Sequence, residues 1–255
     1  MPSSTSFPMA IVLPTYNEAQ NVDGILTELH GLFPDAALVV VDDNSPDGTA
    51  KIVEGLKQAI PGVVLVVRQN ERGRGTAGKA GFQKALALGA RVIAEMDADG
   101  SHSPSDLPLL VKALDSCDVA VGSRYTREGG DFRGSWVRRS LSWASIRFVR
   151  AILGVPVRDP NSGFRAFKRE VLEGISLETL TAKGPEIVHE VLMRAYRQGF
   201  RIKEIPIHFH DRRAGTSKLT LGQLPRSFLF ALYLRLTTKN RHSAPSIIAQ
   251  RFRGR

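Results

Sequence analysis

Val92-Ile93-Ala94-Glu95-Met96-Asp97-Ala98-Asp99-Gly100-Ser101-His102 is an apolar run that stops in two carboxylates one residue apart. The run 92–96 reads as a buried strand, which puts the acids where the strand ends. Such a pair suits a hard divalent cation with oxygen ligands, and Mg²⁺ in sites of this kind is usually shared with a substrate phosphate. Aspartate also favours turns for its own backbone hydrogen bonds, so a turn capped by two Asp accounts for the same residues.

Outward from this stretch the chain alternates. Strand-like runs at 9–13, 36–41 and 63–67 are separated by helical spacing at 21–33 (Val22, Ile25, Leu26, Leu29, Leu32), 47–59 and 76–88. Downstream, Ser103-Pro104 opens a helix through 114, with Pro in the first turn where its missing N–H costs nothing, and 119–121 reads as a fifth strand. Strands alternating with helices predict an α/β fold, a mostly parallel sheet covered on both faces. In such sheets ligands gather beyond the carboxyl ends of the strands. The polar clusters fall there: Pro14-Thr15-Tyr16-Asn17-Glu18 after the first strand, Asp42-Asp43-Asn44-Ser45-Pro46-Asp47-Gly48-Thr49 after the second, Asp97-Ala98-Asp99 after the fourth and Gly122-Ser123-Arg124-Tyr125 after the fifth.

The second half is less regular. Residues 136–153 predict a helix with Trp136 and Trp143 seven apart, hence on one face, and arginines between its apolar residues. That pattern suits a helix at a lipid interface and equally a surface helix docked on the core by its tryptophans. A short strand is expected at 164–167, a helix at 185–198, a strand at 201–209, and a helix at 221–238 interrupted near Pro225. The end from 240 reads as flexible, and no internal repeat or interior linker divides the first 211 residues.

Of the 255 residues, 1–211 hold 25 Lys/Arg and 25 Asp/Glu, whereas 212–255 hold ten Lys/Arg and no acid, so the net charge of +10 resides in the tail. A second acid-free stretch, 132–158, carries Arg133, Arg138, Arg139, Arg147, Arg150 and Arg158. Basic blocks seek polyanions, whether nucleic acid, anionic lipid or a phosphorylated substrate; a merely soluble basic surface is the plainer account. The single cysteine, Cys117, excludes an intrachain disulfide and a cysteine zinc cluster and fits a reducing, cytosolic setting. No secretory signal is visible at the N-terminus. The longest apolar run, 228–234, falls short of the roughly 18 residues of a spanning helix, so the protein is not expected to cross a membrane by itself.

Gly73-Arg74-Gly75-Thr76-Ala77-Gly78 matches G-x-G-x-x-G, with Asp97 some way on. The dinucleotide motif should follow a strand directly, normally the first, yet the polar run 68–72 intervenes. An NAD-dependent oxidoreductase is therefore set aside. The glycines are expected to form a flexible turn near the crevice, with Thr76 capping the next helix.

The ordered set PTYNE, VDDNSPDGT, GRGTA, MDADGSH, GSRY, SGFR and DRRAGTSKL resembles the dolichol-phosphate and polyprenol-phosphate mannose synthases, inverting family-2 glycosyltransferases of GT-A fold, over roughly residues 9–220. PTYNE or a DxD alone marks only the broad superfamily; GSRY with DR-x-x-G-x-SK is narrower. The resemblance implies a single GT-A catalytic domain over 1–220 and a basic amphipathic helix with flexible tail over 221–255. It implies that Pro14, Tyr16, Glu18, Val41 and Asp43 hold the nucleotide, and that Asp97, Ala98 and Asp99 meet the nucleotide sugar, with Asp97 and Asp99 binding Mg²⁺ or Mn²⁺. It further implies that Arg124, Arg212 and Lys218 contact the donor, Arg212 and Lys218 from a loop able to close over the diphosphate, and that Arg124, Arg138 and Ser142 contact the acceptor phosphate. It also implies that Asp97, Asp99 and Arg124 carry the chemistry. Ser101 stands where many relatives have a Gln ligand, and Asn161 precedes SGFR where a Thr is common. An acid near Glu190 faces the site in relatives; a solvated helix residue is the plainer reading of it.

The implied reaction moves mannose from GDP-mannose to a polyprenyl monophosphate, giving a β-linked mannosyl phosphate. The departing diphosphate requires a cation plus Arg and Lys, and loop closure would exclude water. The acceptor is already anionic near pH 7, so no dedicated strong base is expected, and His102, His189, His208 and His210 read as structural. The expected location is peripheral, on the cytosolic face of a membrane, held by the basic tail, Trp136, Trp143 and 228–234, with room for a membrane-anchoring partner protein. The runner-up is a polyprenyl-phosphate glucosyl- or aminosugar transferase using a UDP-sugar. A processive polysaccharide synthase is disfavoured because the chain has no Gln-x-x-Arg-Trp. A reading from another class is a nonenzymatic lipid- or nucleic-acid-binding module; no nucleic-acid partner is expected, since only Phe228, Phe230, Tyr233 and Phe252 offer stacking platforms in the tail.

Overall fold

The computed structural model describes residues 7–134, 136–211 and 223–237. The first half forms β1 (Met9–Thr15), α1 (Val22–Leu32), β2 (Ala37–Asp42), α2 (Thr49–Leu56), β3 (Val63–Val67), α3 (Arg74–Ala87), β4 (Val92–Glu95), α4 (Leu107–Ala113) and β5 (Val119–Ser123). The second half adds β6 (Gly130–Asp131), α5 (Trp136–Leu153), β7 (Arg165–Lys168), α6 (Arg169–Gly174), α7 (Ile187–Arg197), β8 (Ile202–Pro206), β9 (His208–Phe209) and α8 (Gln223–Thr237).

The main sheet runs β3-β2-β1-β4-β7-β5-β8. Each neighbouring pair is parallel except those of β7, which runs antiparallel to both β4 and β5. The order reverses between β1 and β4, which opens a crevice at their carboxyl ends. Because β7 is reversed, its first residue, Arg165, lies at that same edge and pairs in register with Glu95.

Alternation along each buried strand divides the core. Ala10, Val12, Val39 and Val41 point to the layer of α3, α5, α7 and α8, and Ile11, Leu13, Leu38 and Val40 to the layer of α1, α2 and α4. Both faces are covered, so β2 is buried throughout, as parallel strands usually are. α8 packs on α5 and α7 and adds Ala231 and Leu234 to the core.

Several boundaries differ from expectation. α2 starts at Thr49 because the Asp47 carboxylate accepts the Thr49 N–H at 3.0 Å and hydroxyl at 2.6 Å, acting as a cap. The strand expected over 201–209 breaks into β8 and β9 just after Pro206. α8 continues through Pro225, because Pro225 lies in the first turn, where N–H groups have no helical partner. The expected turn of glycines is instead the first half of α3, where Gly75, Gly78 and Gly81 are buried. Thr76 is not its cap: the N-terminal flank is Gly73 at φ +139°, and Thr76 Oγ1 donates to the Gly73 carbonyl and accepts from Arg68 Nη1 at 2.8 Å.

Candidate active site

Each strand end at the crevice is built by local hydrogen bonding. After β2, Asp42 is fully buried and accepts from Thr15 Oγ1 (2.9 Å) and from the Ser45 N–H (2.8 Å) and hydroxyl (2.6 Å), which forms an Asx turn. Asp43 instead takes the Arg68 guanidinium, whose Nε donates at 2.8 Å, and its other oxygen accepts the Gly73 N–H at 2.8 Å. Thr49 Oγ1 accepts the Glu18 N–H at 3.0 Å and the Asp47 carboxylate accepts the Ala19 N–H, so the loops after β1 and β2 are tied together. Glu18 is buried and accepts from Asn21 Nδ2 at 2.8 Å. Tyr16 is half-buried with the Arg72 guanidinium 5.4 Å from its ring centre. Pro14, next to last in β1, pairs in register with Val41, whose side chain lies in the core.

At the end of β4, Glu95 and Asp99 are buried, Ala98 sits in the core, and the Asp97 side chain stays 37% exposed. Asp99 Oδ1 accepts both the Ser101 N–H (2.9 Å) and the Ser101 hydroxyl (2.6 Å). Arg74, from the first turn of α3, bridges the strand end: Nη1 donates to Glu95 Oε1 at 2.6 Å and Nε to Asp97 Oδ1 at 3.2 Å. His102 is buried between the rings of Phe164 and Phe209, 5.0 and 5.1 Å away between centres. Burial lowers its pKa, outweighing the attraction of Asp97 and Asp99 and reinforced by Arg124 and Arg74.

Phe209 joins this acidic end to the basic helix. Its ring lies under both Arg124 (5.0 Å) and Arg133 (5.3 Å). Arg124 is clamped by fully buried Asp159, Nε at 2.7 Å and Nη2 at 2.8 Å, with the Arg124 N–H at 3.2 Å on the same carboxylate. Ser142 accepts from Arg133 Nη2 at 3.0 Å while Arg133 pairs with Asp131. Asp97, Asp99, Arg124 and Ser142 thus lie along one connected path. Arg212 and Lys218 lie outside the described residues, as does the side chain of Arg138.

The sequence reading missed the partners. Asp159, Arg68, Arg74 and Phe209 were assigned no role, and SGFR was noted as a motif without a task for its arginine. Arg165 is buried and, among the described residues, donates to the backbone carbonyls of Ser162 at 2.7 Å, Pro160 at 3.0 Å and Val188. Burial pulls it down to about 10, with Glu95 opposing. Glu190 is not solvated: it is fully buried and accepts the N–H groups of Thr181 (3.0 Å) and Ala182 (2.9 Å) and the Arg194 guanidinium (2.6 Å). It therefore anchors the loop whose Lys183 carbonyl accepts the Gly75 N–H at 3.0 Å. His189 bonds Asn161 at 2.8 Å, and burial lowers it to about 3.

Residues 10–176 match the family model for Glycosyl transferase family 2. The chain belongs to that family. As a family-2 glycosyltransferase of the GT-A type, it is 41% identical over 212 residues to a polyprenol monophosphomannose synthase of Mycolicibacterium smegmatis, covering 82% of this chain and 80% of the relative. It is 36% identical over 211 residues to an undecaprenyl-phosphate mannosyltransferase of Micrococcus luteus, covering 83% and 87%. Among solved structures its fold is similar to glucosyl-3-phosphoglycerate synthase of Mycobacterium tuberculosis in complex with Mn²⁺, UDP and glucosyl-3-phosphoglycerate, at a TM-score of 0.63 and 20% identity, covering 92% of this chain and 82% of that one. The enzyme class that the resemblance implied and the α/β fold expected from alternating strands and helices both hold. No helix of the described residues is long and apolar enough to cross a membrane.

Proposed function

We propose that this glycosyltransferase moves mannose from GDP-mannose to a polyprenyl monophosphate with inversion, using Mg²⁺ or Mn²⁺ held by Asp97 and Asp99. The observation that carries the reading is the placement of these two carboxylates at the carboxyl end of β4, beside the reversal of strand order. The names of the two mannosyl-transferring relatives support the sugar and the lipid.

The residues fit a hard divalent cation. Both donors are carboxylate oxygens, Asp97 is partly exposed, and Asp99 is oriented by two bonds from Ser101. Among the described residues no third His, Cys, Asp or Glu completes a protein cage, which leaves positions for substrate phosphate oxygens and water. When bound, the cation neutralises charge on the departing diphosphate. The chain's own residues do the rest. Tyr16, Glu18 and Asp43 shape the nucleotide end of the crevice. Asp159 fixes Arg124 in one orientation, with Nη1 outside the pair. The acceptor phosphate is anionic and attacks without a base. Arg212 and Lys218 are the proposed closing cations of the donor loop, and Arg138 and Ser142 the proposed acceptor-phosphate contacts.

With a lipid-linked acceptor, the enzyme is proposed to work peripherally on the cytosolic leaflet. Trp136 and Trp143 of α5 are 70% and 54% exposed, and the Arg147 guanidinium lies 4.8 Å from the Trp143 ring centre, an arrangement suited to an anionic headgroup layer. The catalytic unit is proposed to span 1–220, with 221–255 reinforcing the membrane contact. The test is a donor panel with radiolabelled GDP-mannose and UDP-glucose, polyprenyl phosphate as acceptor, and Mn²⁺ present or chelated. Lipid-linked label from GDP-mannose alone, lost on chelation, is expected. Preferential label from UDP-glucose, or full turnover in chelator, refutes the proposal.

A further inference from the structure

Glu95 places a charge in an otherwise apolar strand, two residues before Asp97. It is 2% exposed, and its Oε1 accepts from Arg74 Nη1 at 2.6 Å. The packing makes room for this pair on both sides. A Cβ at Gly78 would stand 2.8 Å from Glu95 Oε1 and 3.2 Å from Arg74 Nη1; a Cβ at Gly163 would stand 3.1 Å from Arg74 Nη2 and 3.6 Å from both Asp97 oxygens. Arg74 is therefore seated between a buried carboxylate behind it and Asp97 in front. Its Nη2 is buried with no hydrogen-bond partner among the described residues and forms an ion pair with Asp97 Oδ1 at 3.2 Å. Arg74 thus spends Nη1 on Glu95 and faces Asp97 with Nε and Nη2.

From this geometry we infer that Glu95, acting through Arg74, sets how tightly the Asp97/Asp99 pair binds a divalent cation; the inference rests on the cation site proposed above. The reason is charge balance. Arg74 and fully buried Arg165 are two cations directly behind the site, and among the described residues Arg165 bonds backbone carbonyls. Glu95 acts electrostatically on both. The Glu95 carboxylate gives Arg74 a counterion of its own, and within this group of five side chains the three carboxylates outweigh the two arginines by one negative charge. With Gln at position 95 the Arg74 guanidinium is left to Asp97, and the same group presents one negative charge fewer to an arriving divalent cation. Glu95 and Arg74 are thus positioning residues, and neither is a ligand.

The experiment is Mn²⁺ titration followed by electron paramagnetic resonance of the free ion, without nucleotide, on wild type, Asp99→Asn, Glu95→Gln and the double variant Glu95→Gln/Arg74→Met. Glu95→Gln is expected to weaken Mn²⁺ binding about 10–100-fold, the range for groups that act behind metal ligands. The double variant removes both charges together, restores the balance and is expected to recover most of the affinity. A merely structural role predicts the opposite order, with the double variant no better than the single. Urea unfolding without metal checks that the double variant is folded, and it decides the matter even if Glu95→Gln fails to fold, since neutralising a buried pair is tolerated better than breaking it. Mn²⁺ binding lost in Asp99→Asn but unchanged in Glu95→Gln overturns the inference alone, as does a folded double variant with weak binding. Binding unchanged in Asp99→Asn overturns the cation site and the inference with it.

Discussion

Asp159→Asn is the sharpest stability test the site offers. Asp159 is fully buried, the Arg124 side chain is 9% exposed, and the two share bonds of 2.7 and 2.8 Å. The same carboxylate also accepts the Arg124 N–H at 3.2 Å, so three donors converge on it. Both groups are desolvated, and removing one charge leaves the other buried without a counterion, which costs about 3–5 kcal/mol. For a chain of this size each kcal/mol moves the midpoint by about 2–4 °C, so a fall of roughly 6–20 °C is expected. The backbone N–H of Asp159 donates to Glu204 Oε1 at 2.9 Å, a bond that survives the substitution and keeps the loop from collapsing altogether. Urea unfolding followed by tryptophan fluorescence gives the free energy, and the charge-free pair Arg124→Met/Asp159→Leu supplies the control. That double variant is expected to be more stable than Asp159→Asn, because it removes the uncompensated cation. A loss below about 1 kcal/mol in Asp159→Asn, or a double variant less stable than the single, would refute the claim that Arg124 depends on its buried partner.

Three further outcomes are expected. Asp99→Asn should lower kcat for lipid mannosylation on the order of 10²-fold while leaving the urea midpoint near that of wild type, because Ser101 can still donate to the amide oxygen; equal turnover would remove Asp99 from the chemistry. Burial raises Asp118, but bonds from the Arg201 side chain and backbone N–H and from Lys168 outweigh it and hold the pKa at about 2, below its ordinary 3.8. Its contribution is therefore complete above the unfolded value and lost as pH falls from about 3.8 toward 2, so urea midpoints across that window should fall more steeply in wild type than in Asp118→Asn. Gly81→Ala should cost about 1–3 kcal/mol by overpacking, since a Cβ there would overlap Val12 and stand 3.2 Å from Val41 Cγ2; unchanged stability would mean that α3 is not pressed on the sheet as described.

The parts legible in the sequence were those encoded by local period. β1, β2, β3 and β4 were found within a residue or two because each is a short apolar run bounded by polar turns, and the acids after them could lie only at the carboxyl edge. β7 was expected as a strand, but its direction was not legible. The chain reaches it from β5 through β6 and α5, the kind of helical connection that usually precedes a parallel strand, and nothing in its four residues says that it runs antiparallel to both neighbours. The same holds for the charges. Arg68 with Asp43, Arg74 with Glu95 and Arg124 with Asp159 join residues separated by 25, 21 and 35 positions, so a list of strand-end acids showed which groups reach the crevice without showing which were already partnered.

The glycines of 73–78 mark where the reading of residue type failed and spacing would have succeeded. Glycine signals a turn when it supplies an unusual backbone angle, and only Gly73 does so here. Gly75, Gly78 and Gly81 recur every three residues, which on a helix is one stripe. Each removes a side chain from a contact: backbone carbonyls of Ala182 and Gly184 at 2.6 and 2.7 Å for Gly75, Glu95 Oε1 at 2.8 Å for Gly78, and the Val12 side chain for Gly81. α3 can therefore lie close enough to the sheet for Arg74, in its first turn, to reach two carboxylates at the end of β4. The motif that mimics a dinucleotide fingerprint works here as a packing surface, and what it delivers to the crevice is a guanidinium rather than a row of backbone N–H groups around a phosphate.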